Sequence, residues 1–188
     1  GPREILALVD QETDSSRAFI RQLAWRDWYA HLMNASPEIL NSPANPVYKN
    51  IEWRNNTEEF DLWVQGKTGY PIVDAGMREL KETGFMHNRV RMITGSFLVK
   101  HLLIDWRWGE QYFRHTLIDG DTSQNVGNWQ WVAGTGFDAA PYFRIFNPIR
   151  QSEKFDKEGI YIRKWVPELA SLSSCLLYTS DAADDSLR

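Results

Sequence analysis

Apolar residues recur along the chain at spacings of three and four, in separate blocks, which is the period of a helix with one buried face. Phe19, Ile20, Leu23 and Leu32 form the first block, which ends near Asn34, with Asp14, Ser15 and Ser16 as candidate N-caps. Pro43 and Pro46 among Asn and Ser make 41–48 a loop. Thr57-Glu58-Glu59-Phe60 approaches a capping box and predicts a short helix through Trp63. Gly66 to Tyr70 is a turn, and Pro71 opens a helix marked by Ile72, Val73, Ala75, Gly76, Met77 and Leu80. Gly84 stops it. Met86, Val90, Ile93, Phe97 and Leu98 then predict a long helix running toward Ile104. Further helices are expected over 109–117 and 159–169. The stretch 119–140 is rich in Gly, Asn and Asp with little periodicity, and no helix is placed there. No alternating strand pattern and no internal repeat recurs. The predicted fold class is all-α.

Composition narrows the picture. With 188 residues, 43% hydrophobic and 24% charged, the chain suits one domain with a sizeable core and does not suit wholesale disorder. The longest apolar stretches, 93–98 and 102–104, fall far short of the eighteen or so residues of a membrane span. No charged segment followed by an apolar one opens the chain, so no secretory leader is expected. A single cysteine can form neither an internal disulfide nor a thiolate zinc site, which favours a reducing, cytoplasmic setting. At a formal net charge of −4, any contact with nucleic acid must use a local basic patch. Nine Trp is a high number, because each buried indole N–H needs a partner.

Several motifs fail on inspection. Gly66-Lys67-Thr68 imitates the end of a phosphate-binding loop, but the required earlier Gly falls on Asp61 and no buried strand precedes it. His31, His87, His101 and His115 lack metal-ligand spacing, so no metal is expected. Ser96 and Ser123 have no nearby His and Asp in sequence. More informative are Asn88-Arg89-Val90-Arg91-Met92, Asp105-Trp106-Arg107-Trp108-Gly109, Asp119-Gly120-Asp121, and Asn125-Val126-Gly127-Asn128-Trp129-Gln130-Trp131. These residues suit helix-packing salt bridges around a Trp-rich core. They equally suit the wall of a pocket for a large polar aromatic ligand, which needs stacking faces, amide partners and acids for ribose hydroxyls.

Together with Trp25-Arg26-Asp27-Trp28-Tyr29, Gly66-Lys67-Thr68-Gly69-Tyr70-Pro71-Ile72-Val73-Asp74-Ala75, Gly84-Phe85-Met86-His87 and Phe143-Arg144-Ile145-Phe146-Asn147-Pro148, these motifs resemble the helical FAD-binding domain of DNA photolyases over about residues 1–169. The resemblance implies light-driven repair of cyclobutane pyrimidine dimers in UV-damaged DNA, as in class I enzymes, by electron transfer from reduced FAD to a flipped-out dimer. It implies an electron relay of Trp129, Trp106 and Trp53 from flavin to surface, with Phe113 between relay and flavin. Asn125 takes the place facing the reactive flavin nitrogen, while Arg26, Asn88, Arg91, Asp119 and Asp121 line the cofactor, with Arg91 and Asp119 as a salt bridge. Trp25 and Trp131 flank the flipped dimer. Gln22, Asn88 and Met92 contact it, and Arg89, Arg144 and Arg150 are candidate phosphate contacts, with a solvated surface role the alternative for Arg150. Asn88 and Met92 favour cyclobutane dimers, since (6-4) enzymes tend to carry His at both positions. A cryptochrome photoreceptor is the chief rival, disfavoured in its plant form by Asn125 in place of Asp. An inactive helical fragment is a third reading.

The sequence departs from that pattern in three ways. Gln22 stands where many cyclobutane enzymes carry Glu, which keeps a hydrogen-bonding group but no shiftable proton. The antenna domain, the loop for the flavin diphosphate and the final helices are not recognised, so a fragment truncated at both ends is expected, with an antenna chromophore only in the full-length parent. Residues 170–188 read as a non-native tail, since the string from about Cys175 resembles a translated sequencing adapter. Without its three Asp and one Arg the net charge falls from −4 to −2, and the only Cys is lost. A monomer is expected.

Overall fold

The computed structural model describes residues 1–9, 13–138, 144–173 and 177. In chain order the helices are α1 (Pro2–Leu8), α2 (Asp14–Ala35), α3 (Thr57–Gln65), α4 (Pro71–Thr83), α5 (Asn88–Ser96), α6 (Trp106–Thr116), α7 (Thr122–Ala133), α8 (Pro148–Phe155) and α9 (Ile160–Trp165). No strand occurs among the described residues, and the fold is all-α. None of their helices is long and apolar enough to cross a membrane.

Side-chain caps shift several predicted boundaries. Thr13, not the trio after it, caps α2 through Oγ1 on the Ser16 N–H, and Asn56 rather than Thr57 caps α3 through Oδ1 on the Glu59 N–H. The long helix expected from Met86 to Ile104 is broken: α5 ends at Ser96 and passes into one π-helical turn, Phe97–His101. α6 starts at Trp106, earlier than predicted, because the Asp105 carboxylate accepts the Arg107 N–H. The span 159–169 divides into α9 and a 3₁₀ turn, Pro167–Leu169, and the loop 41–48 contains a 3₁₀ turn at Pro46–Tyr48.

The largest correction is α7, a helix inside a segment that had shown no helical pattern. Val126, Trp129, Gln130, Val132 and Ala133 form its buried side. The pattern is obscured because one inward residue is an amide and another position is glycine. Gln130 Nε2 donates to the carbonyls of Ile39 and Ser42 at 2.7 and 3.0 Å, and its Oε1 accepts from Ala44. Gly127 is forced by packing, since a Cβ there would lie 2.2 Å from the Tyr29 ring of α2.

Helix α4 packs on α3, α5, α8 and α9, while α7 packs on α2, α5 and α6. Between these groups lies the core of Trp63, Met77, Leu80, Met86, Ile93, Leu98 and Trp106. Each large apolar side chain buried there stabilises the fold by about 2–3 kcal/mol. Trp63 satisfies its indole N–H on the Thr94 carbonyl at 3.1 Å. The Gly66–Tyr70 turn is also a structural device: Asp74 accepts from the Thr68 N–H and hydroxyl at 2.7 and 2.6 Å and from the Gly69 N–H at 3.1 Å. In the tail, Leu172 packs on the core and Leu177 is buried beside Gly159. Apart from Leu177, the adapter-like string lies outside the described residues.

Candidate functional site

Helices α2, α5, α6 and α7 enclose a cavity of about 500 Å³. Helical spacing selects what faces it. From α2 come Gln22, Trp25 and Tyr29, from α5 Asn88, Arg91 and Met92, and from α7 Asn125 and Trp129, four residues apart. Phe113 of α6 and Asp119 and Asp121 of the α6–α7 connection complete the wall, with Trp131 at one end.

Charge in the wall is compensated at close range. Arg91 holds its guanidinium with Nε on the Met86 carbonyl at 2.6 Å and Nη2 on both Asp119 oxygens at 3.0 and 2.9 Å. Asp121 caps α7, accepting from Ser123 Oγ and the Gln124 N–H. Burial works against its charge, but Ser123, Gln124 and Arg26 outweigh it and hold the carboxyl below the usual range. Arg26 itself is exposed, 3.5 Å from Asp121, and stands at the rim rather than in the cavity wall.

Asn125 is held from behind. Its Nδ2 donates to the Glu110 carbonyl at 2.8 Å and to Glu110 Oε1 at 3.0 Å, which occupies both amide hydrogens. The acceptor Oδ1 is left for whatever fills the cavity. Glu110 is buried, and burial raises its pKa against the opposing pull of Arg114, Asn125 and His115. Sequence reasoning missed this residue. Its signal is a lone acid in the apolar stripe Trp106, Gly109, Glu110, Phe113 of α6.

The aromatic residues fall into three groups. Trp129 meets Phe113 edge-on at 5.0 Å and Trp63 at 6.2 Å, so it joins cavity to core. Trp106 and Trp53 share a second cleft of about 240 Å³. Trp53 is drawn there because the Arg54 N–H bonds the Leu103 carbonyl at 2.8 Å and the Asp105 N–H bonds Asn55 Oδ1 at 2.8 Å. Trp106 lies one turn before Gly109, whose backbone abuts Trp129. At the open end of the cavity, Trp25 is 41% exposed and rests edge-on against Trp28 at 5.4 Å. Arg144 lies 5.7 Å over the Trp131 ring. Arg89 does not line the cavity; it lies over Phe155 at 4.7 Å. Asn88 Nδ2 and Met92 Sδ are 4.0 Å apart on one face of α5. Asn128 lines the wall as its motif suggested, and Tyr29, Gln124 and Asp138 also line it and were not anticipated. Among the described residues no cluster of His, Cys, Asp or Glu suits a metal.

A cavity lined by indole faces, a free amide oxygen and two carboxylates beside an Arg is the kind of site that takes a large, flat, heteroatom-rich ligand. The sequence model of the FAD-binding domain of DNA photolyase matches residues 19–187. The chain belongs to that family. It is 57% identical over 168 residues to the deoxyribodipyrimidine photo-lyase of Escherichia coli K12, covering 88% of this chain and 36% of the relative. The fold matches a bacterial class III photolyase from Agrobacterium tumefaciens (TM-score 0.86, 49% identity, 96% of this chain and 38% of that one). It matches a cryptochrome from Synechocystis equally well (TM-score 0.86, 42% identity, 95% and 38%). The chain therefore spans little more than a third of the length of the proteins it matches.

Proposed function

We propose that the cavity is the ring end of a flavin site and that the parent protein is a light-driven, monomeric, cytoplasmic DNA photolyase acting on cyclobutane pyrimidine dimers. The observation that carries this reading is convergence. Two indoles suited to clamp a flipped base, Trp25 and Trp131, open onto the same cavity as Asn125, Trp129 and the Arg91–Asp119 pair. The residues present fit FAD: Asn125 offers an acceptor to a ring N–H, Arg91 and Asp119 border the ring, and Asp121 lies within reach of a polyol. Bound and reduced, FAD supplies the light-excited electron that splits the dimer.

The chain's own residues do the rest. Trp25 and Trp131 replace the stacking that the dimer loses on leaving the duplex. Gln22, Asn88 and Met92 present hydrogen-bonding and thioether groups to its edges. Trp53, Trp106 and Trp129 carry electrons inward from the solvent cleft, with Phe113 packed against Trp129. Arg144, held against Trp131, meets a phosphate beside the clamp, and Arg26 and Arg89 add positive charge at the rim. Their local charge offsets the acidic total.

The clamp is tested by the affinity of the full-length parent, in the dark, for an oligonucleotide with one thymine dimer. Trp25→Ala is expected to weaken binding by about 1–3 kcal/mol, the cost of one lost stacking platform. Unchanged affinity in both Trp25→Ala and Trp131→Ala removes the clamp and favours a cryptochrome, the reading supported by the Synechocystis likeness.

A further inference from the structure

Position 109 carries a residue that weakens the helix it occupies. Gly109 is buried within α6, where Ala would favour the helix. A Cβ at this position would lie 2.2 Å from Cη2 and 2.6 Å from Cζ3 of Trp129, and 2.6 Å from Leu98 Cδ2. The Leu98 methyl is the end of a flexible side chain and can rotate away. The Trp129 benzo edge is part of a rigid bicycle and can only move as a whole. The same edge meets a second glycine, Gly95 of α5, where a Cβ would stand 3.5 and 3.6 Å from the same two ring atoms, which is ordinary contact. The indole is thus lodged between two helices, with no tolerance at Gly109 and a methyl's worth of room at Gly95. Phe113, one turn beyond Gly109 on α6, touches the same ring at 5.0 Å.

We propose that Gly109 is a positioning residue for Trp129: its missing side chain sets how deep the indole sits and so how far it stands from the cavity's occupant. Any side chain at 109 drives the ring off α6. Gly95 leaves only a methyl's worth of room on the α5 side, so the ring is pressed away from α6, the helix that carries Trp106, and the hop between the two indoles lengthens. This rests on the flavin-site reading of Trp129. The consequence is that electron delivery through Trp129 depends on a backbone position that touches neither flavin nor DNA.

The test uses the full-length parent with FAD bound, in wild-type, Gly109→Ala, Trp129→Phe and doubly substituted forms. Thermal midpoints are read first, because they need neither light nor activity. Gly109→Ala is expected to lower Tm in the wild-type background and raise it in Trp129→Phe, where the missing benzo edge leaves space for the methyl. Gly95→Ala is expected to hold or raise Tm. Flavin photoreduction with dithiothreitol as electron source is read second, at matched FAD occupancy. Gly109→Ala is expected to slow it at least about tenfold, within what a misplacement of about 1 Å costs a positioned group. An equal Tm effect in both backgrounds overturns the slot. A sign reversal in Tm with unchanged photoreduction overturns the positioning role and leaves the flavin site standing. Absence of FAD from the wild-type parent instead defeats the reading on which the proposal rests.

Discussion

At the scale of single residues, Glu110 is the side chain whose role the structure changes most. It has no place in the sequence motifs, yet it takes both amide hydrogens of Asn125 and pairs with Arg114 at 3.0 Å. Glu110→Gln keeps an acceptor for Asn125 and is expected to be nearly neutral in stability at acid pH, where the wild-type carboxyl is protonated in both states. Glu110→Leu leaves one donor of Asn125 unpaired and is expected to cost about 1–2 kcal/mol in urea unfolding. The two variants falling equally would mean that the contact with Asn125 contributes nothing. Because burial raises the folded pKa of Glu110, the folded state keeps that proton to higher pH than the unfolded chain. Its contribution to stability therefore falls as pH rises from the ordinary carboxylate range through the raised value. The Tm advantage of Glu110→Gln over wild type should widen across that window, and a constant difference would show that the carboxyl is not held neutral.

Among elements, the Gly66–Tyr70 turn and α7 teach opposite lessons. The turn was legible as a turn from its Gly and Pro residues, but its purpose was not. Asp74 binds three donors of the turn, and through it α3 and α4 are held at a fixed angle. Asp74→Ala is expected to cost about 3 kcal/mol, measured by urea unfolding, since charged acceptors lost from part-buried donors are costly. A loss under about 1 kcal/mol would mean that water replaces the carboxylate. Helix α4 was read correctly because its buried face is apolar apart from Asp74 and glycine ends it in the left-handed region. Helix α7 was not, because its inward face serves two purposes. Asn125 serves the cavity, Gln130 ties down the loop 39–44, and Gly127 makes room for Tyr29. Periodicity detects burial of apolar surface, so it fails where an inward face is polar. The π-helical turn after α5 escaped for another reason: the apolar spacing of Phe97 and Leu98 fits either helix type.

On the scale of the whole molecule, the residues brought to one cavity were mostly those that the family resemblance had named, while their supports were not. Gln22, Trp25, Asn88, Arg91, Met92, Phe113, Asp119, Asp121, Asn125, Trp129 and Trp131 line one wall. Glu110, Gly109 and Gly95 support that wall; Gly109 stood at the end of a noted motif without a role of its own and the other two stood in none, since backing residues are selected by shape and spacing rather than by chemistry. On the proposed reading the cavity is the ring end of a flavin site, and the resemblance locates the donors for a diphosphate on a loop outside the matched motifs. Purified as given, the chain is expected to lose added FAD on dialysis, read from the visible flavin spectrum, while the full-length parent retains it. Retention by the chain alone would mean that the ring end suffices. Leu177 is buried against the core, so removing 175–188 should cost about 2 kcal/mol even if the segment is foreign.

The central claim is that this wall belongs to a repair enzyme for cyclobutane dimers, and repair is measured most directly by product. The full-length parent, chemically reduced and loaded with FAD, is illuminated with blue light on DNA carrying either a cyclobutane dimer or a (6-4) photoproduct. Loss of the cyclobutane dimer with restoration of the two pyrimidines, and no change in the (6-4) product, is the expected result. Persistence of the cyclobutane dimer under light would contradict it.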